Sequence, residues 1–103
     1  MKIIQKLSDM IEEEIEDAGK YARCALENKE TNPQLAEMFY KLANEEMGHM
    51  ATLHAQVTSI IEDYRKKNGD PPEAMLMLYD ILHKKHIANA ASVKGMLSLY
   101  KGG

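Results

Sequence analysis

Residues 33–67, PQLAEMFYKLANEEMGHMATLHAQVTSIIEDYRKK, carry apolar side chains at helical spacing and no proline beyond the first position. A helix of about 35 residues spans ~50 Å, far beyond the usual three turns. A three-helix monomer cannot cover that length on its own. Heptad spacing marks Leu35, Phe39, Leu42, Glu46, His49, Leu53 and Ile60 as the buried seam, apolar except at its middle. Asn32 is placed to cap this helix, with Pro33 at its first position, and Gly69 suits its exit near Lys67.

Working outward, Thr31-Asn32-Pro33 and Asn68-Gly69-Asp70-Pro71-Pro72 are the strong breakers. They divide the chain into three expected helices at about 3–28, 33–67 and 71–100. The first begins near Ile3 or Ser8, Asp70 caps the third, and Gly102 with Gly103 ends it. Alternation of period two is absent, so no strands are expected. The fold class is all-α: one domain over 1–103, a long antiparallel helical hairpin plus a third helix, with a four-helix core completed by dimerisation.

Composition narrows the partners. Thirteen basic against 16 acidic side chains leave a net charge of −3, with no basic block suited to nucleic acid or an anionic membrane. The longest apolar run, Ala74 to Tyr79, falls far short of the roughly 18 residues of a spanning helix. No secretory leader is legible before the Glu12–Glu14 cluster, so the sequence reads as cytoplasmic. The single cysteine, Cys24, makes no intrachain disulfide and no Cys-x-x-Cys iron site, and reads as a buried helix thiol.

The first helix has its own seam, Leu7, Ile11, Glu14, Ala18, Tyr21 and Ala25, and it too turns polar at mid-length. An ionised carboxylate there costs several kcal/mol of desolvation unless a positive charge neutralises it. Glu46 and His49, three residues apart, share one helix face and can grip one ion together. Doubling Glu14, Glu46 and His49 across a symmetric dimer gives four carboxylates and two imidazoles, the donor set of a carboxylate-bridged dimetal centre. Iron(II) or manganese(II) suits such oxygen-rich ligands. Glu14 would be the terminal ligand, Glu46 the bridge and His49 the nitrogen donor to two ions roughly 3.5–4 Å apart. In the competing reading, His49 pairs with a carboxylate and the polar residues set pairing register.

Neighbouring residues have readings of their own. Tyr21, seven residues after Glu14, either donates its hydroxyl to a ligand carboxylate or is a core tyrosine with a bonded tip. Gly48 costs ~1 kcal/mol in mid-helix, which close helix approach or ligand room would justify. Glu13, Glu16 and Asp17 are either a carboxylate path for hydrated Fe²⁺ or a solvated face. Helical arithmetic turns Glu45 and His54 outward. Asp80, His83 and His86 repeat the ligand chemistry on the third helix without a matching carboxylate in seam register. The eight methionines, Met75 and Met77 among them, read as core gap-fillers.

Two motifs together resemble the ferritin-like superfamily, in particular rubrerythrins and the half-length encapsulated ferritins. Glu13-Glu14-Ile15-Glu16 with Tyr21 is similar to its first-helix pattern, and Glu45-Glu46-x-x-His49 with Ala51 is similar to its second-helix pattern. The resemblance implies Glu14, Glu46 and His49 as iron ligands and Tyr21 beside them, at a ferroxidase centre built between two chains. It further implies Fe²⁺ oxidation by oxygen or peroxide, a larger homo-oligomer, and storage inside an encapsulin-type shell. The third helix has no counterpart in that pattern. Two other functions stay open: a non-catalytic helical oligomerisation module, and a dimetal oxidase or peroxidase that uses manganese or an organic substrate.

Overall fold

The computed structural model describes residues 2–102. Three helices follow one another: α1 (Lys2–Asn28), α2 (Pro33–Asn68) and α3 (Glu73–Tyr100), and no strand occurs among the described residues. The chain is all-α. Its long axis of 56 Å is set by α2, whose 36 residues rise about 54 Å.

Local chemistry accounts for most helix ends. The Asn32 side chain accepts the Leu35 amide at 3.3 Å, and Pro33 sits where no amide proton is needed. Gly69 closes α2 at φ 79°, its N–H donating to the Arg65 carbonyl at 3.0 Å. The start of α3 differs from the expectation at residue 71. Asp70 is exposed and caps nothing, and Pro72 occupies the N-cap position instead, its carbonyl accepting the Met75 and Leu76 amides. The cause is the proline pair: Pro72 drives Pro71 out of the α region, so no helix can begin before it. At the far end Gly102 takes φ 100°; Gly103 lies outside the described residues.

Burial organises the bundle around α1. Ile4, Ser8, Ile11, Ile15, Ala18, Ala22 and Ala25 form a closed stripe that meets α2 through Ala36, Ala43, Val57 and Ile61, and α3 through Ala90, Val93 and Leu97. Alanines at the hairpin's closed end let α1 and α2 approach closely. α3 packs chiefly on α1 and touches α2 sparingly, held by the Tyr40–Tyr100 stack, the Tyr100–Glu37 hydrogen bond and the Lys85–Glu12 ion pair.

One face of α2 is corrected by the structure. The expected seam, Leu35, Phe39, Leu42, Glu46, Leu53 and Ile60, is not closed and His49 is exposed, whereas the closed face lies at Ala36, Ala43, Val57 and Ile61, one position along from Leu35, Leu42 and Ile60. One residue is a turn of about 100° around the helix. α1 covers the closed face, and the other stripe is left half-buried, with Leu53 and Ile60 packed against the core. Cys24 is half-buried and free rather than fully enclosed.

Candidate metal centre

Glu14 comes from the middle of α1, and Glu46 and His49 from successive turns of α2, where the antiparallel hairpin brings both helices to the same level. One ligand atom from each residue lies within 4.8 Å of the other two. His49 Nδ1 stands 3.5 Å from Glu14 Oε2 and 3.8 Å from Glu46 Oε2. These are ion-pair distances, beyond a well-formed hydrogen bond.

The carboxylates are mostly enclosed, with 26% of the Glu14 side chain and 20% of Glu46 exposed, while the His49 side chain is 61% exposed. Glu14 Oε2 is itself sealed from solvent and, with both carboxylates ionised, accepts no hydrogen bond. Two ionised carboxylates cannot donate to each other, so their juxtaposition is unfavourable until a proton or a cation enters. The Glu14 carboxyl, first through a shared hydrogen bond, then with burial and charge repulsion, pushes Glu46 up to about 7; His49 opposes this and Asp17 adds to it. Two carboxylates and one imidazole, with a sealed carboxylate oxygen at their centre, fit a divalent cation.

All three expected ligands are brought together, but Tyr21 is not among them. Its ring stacks on Phe39 at 6.2 Å, and its hydroxyl bonds to neither carboxylate. It is a half-buried aromatic support. Glu13, Glu16 and Asp17 are all exposed, and of the three Asp17 is the one whose charge acts on Glu46. A Cβ placed on Gly48 would meet nothing within 4 Å, so close helix approach within the protomer does not explain that glycine.

No family model, curated protein or solved structure matches this chain. The site therefore rests on its own geometry.

His54 departs from its expected outward position. It is half-buried, its Nε2 lies 3.1 Å from His83 Nδ1, and the two rings stack at 4.8 Å with Tyr79 against His83 at 5.5 Å. His86 is 6% exposed and its Nε2 is unpartnered. Asp80, by contrast, is exposed and pairs with Lys84 at 2.9 Å. The grouping of His54 with α3 is not legible in the sequence because it depends on how α3 docks; the His83-x-x-His86 spacing is its only trace there.

Proposed function

We propose that this chain binds Fe²⁺ through Glu14, Glu46 and His49 and oxidises it at a centre shared between two copies. The observation that carries the reading is the convergence of two carboxylates and an imidazole around a sealed Glu14 oxygen that accepts no hydrogen bond while both carboxylates are ionised. One protomer supplies half of a four-carboxylate, two-imidazole set. The unfilled half has a natural source on the open side, where Ile3, Met10 and Met38 are exposed along the helical stripes that contain Glu14 and His49. A second copy laid on that flank would bury these side chains and bring its own ligands to the first set.

Two ferrous ions supply two electrons, enough to reduce one O₂ to H₂O₂, or one H₂O₂ to two waters, with two protons taken up. The chain's own contribution is charge and proton control. Glu14 and Glu46 hold the divalent cargo by charge, and Glu46 surrenders the proton it shares with Glu14 when a cation arrives. Manganese satisfies the same donors, so metal identity follows supply and redox potential. Storage within a protein shell is a further part of the ferritin-like proposal.

One observation favours a second reading. A Glu46 that holds its proton up to about 7 satisfies the pair without metal, as a polar residue that only sets helix register would. Anaerobic Fe²⁺ titration with sedimentation analysis separates the two. The ferroxidase reading requires two iron ions per two chains and oxygen or peroxide consumption on re-aeration. Absence of stoichiometric iron uptake by the folded chain overturns it in favour of the register module.

A further inference from the structure

We propose that the cavity between α1, α2 and α3 is a second metal site, in which His54, His83 and His86 hold a borderline divalent cation of the zinc class. The cavity is half open, holds about 340 Å³, is lined by Ile11, Met50, Ile87 and Lys94 beside the histidines, and has no carboxylate in its lining. It exists because α3 rides on α1 and leaves a gap toward α2.

The histidine pair spanning that gap has the right separation for a shared ion. Two nitrogens 3.1 Å apart, each about 2.0–2.1 Å from one cation, subtend roughly 100°, between octahedral and tetrahedral angles. The ring centroids are only 4.8 Å apart, closer than a collinear N–H···N bond of that length would hold them. Tyr79 stacked on His83 fixes that ring's plane.

His86 supplies the third donor. It follows His83 by one turn on the same face of α3, and its buried Nε2 lacks any partner, an expensive state that a cation would relieve. The three imidazoles do not fall within the 4.8 Å that encloses Glu14, Glu46 and His49, so three-fold ligation requires the His86 side chain to rotate toward the pair. An all-imidazole donor set favours zinc, copper or nickel over magnesium or calcium. With three protein donors, the fourth position faces the cavity and is open to water or a small ligand.

The test uses the full chain with Glu46→Gln and His49→Gln, which removes the carboxylate centre, and Co²⁺ as the probe. One Co²⁺ per chain is expected, with visible d–d absorption and a raised melting temperature, because the ion ties α2 to α3. Adding His83→Gln or His54→Gln should weaken Co²⁺ binding by roughly 10–100-fold or more while circular dichroism stays helical. No absorption and no heat of binding in the folded double variant overturns the proposal. So does Co²⁺ binding that survives both histidine substitutions. His54 and His83 carry the readout because each is only half-buried, whereas a change at His86 also disturbs the core.

Discussion

On the side of the hairpin away from α3, Glu14, Glu46 and His49 form an acidic cluster with an exposed imidazole; on the α3 side, His54, His83 and His86 line an apolar cavity free of carboxylates. Both clusters use side chains from α2 less than three turns apart. The acidic cluster faces outward, and on the proposed function a second chain brings the remaining ligands to it. The histidine cluster faces inward across a gap left by sparse α2–α3 packing, with His54 and His83 in contact and His86 one helical turn beyond. Helix-face position thus separates an oxygen-rich donor set on one side of α2 from a nitrogen donor set on the other, and on our proposals the two take ions of different hardness.

The sharpest way to break this contrast is to remove one cluster and measure both. Glu46→Ala is expected to lower Fe²⁺ affinity by at least roughly 100-fold in anaerobic calorimetry, while Co²⁺ uptake at the histidines persists. Loss of both together would mean that the two clusters are not independent. Ile11 is 2% exposed and its side chain reaches the cavity wall from α1, so Ile11→Ala should cost about 2–5 kcal/mol in urea denaturation. A loss well under 1 kcal/mol would show that α1 is not the centre of the core.

Acid–base behaviour sharpens the comparison, because the two clusters pull stability in opposite directions. Glu46 sits near 7 in the folded chain against 4.5 ordinarily, so the folded state holds an extra proton between those values. Without metal, its contribution makes stability fall as pH rises from about 4.5 to 7. His54 and His86 are lowered instead, so the unfolded chain binds more protons near and below 6.5 and their contribution falls on acidification. The difference between wild type and Glu46→Gln isolates the first effect: the variant should gain relative stability as pH climbs toward 7. A pH-independent difference in urea midpoints contradicts the shared-proton geometry.

The smallest expected effect is the most discriminating for assembly. In the isolated protomer Gly48→Ala should stabilise α2 by up to about 1 kcal/mol, since the added methyl meets nothing. If a second chain lies against that flank, the methyl falls at the interface, and dimer affinity should drop while monomer stability rises. Thermal melts paired with sedimentation separate these outcomes; an unchanged dimer places the contact elsewhere.

What is legible in the sequence follows the range of the interactions. Helix α2 and its Asn32 and Gly69 ends are encoded within a few residues, so spacing and capping chemistry find them. Glu14, Glu46 and His49 can be paired because each lies on a regular stripe and the hairpin turn fixes the antiparallel level. The start of α3 is misplaced where one proline acts on another. The closed face of α2 falls one residue from its expected position because both stripes are apolar, and only the docking of α1 selects between them. His54 is missed for the same reason: α3 is apolar on several sides, with Met77, Ile81 and Ile87 exposed away from its buried residues, so its contact face has no sequence signature.

Anomalous X-ray scattering at the iron edge, from crystals grown anaerobically with Fe²⁺, tests the central claim most directly. The account predicts two iron peaks straddling a twofold axis, each contacted by Glu14, Glu46 and His49 side chains, with both copies contributing. Iron absent from these residues, or a single ion held by one chain with its open flank facing solvent, would contradict it.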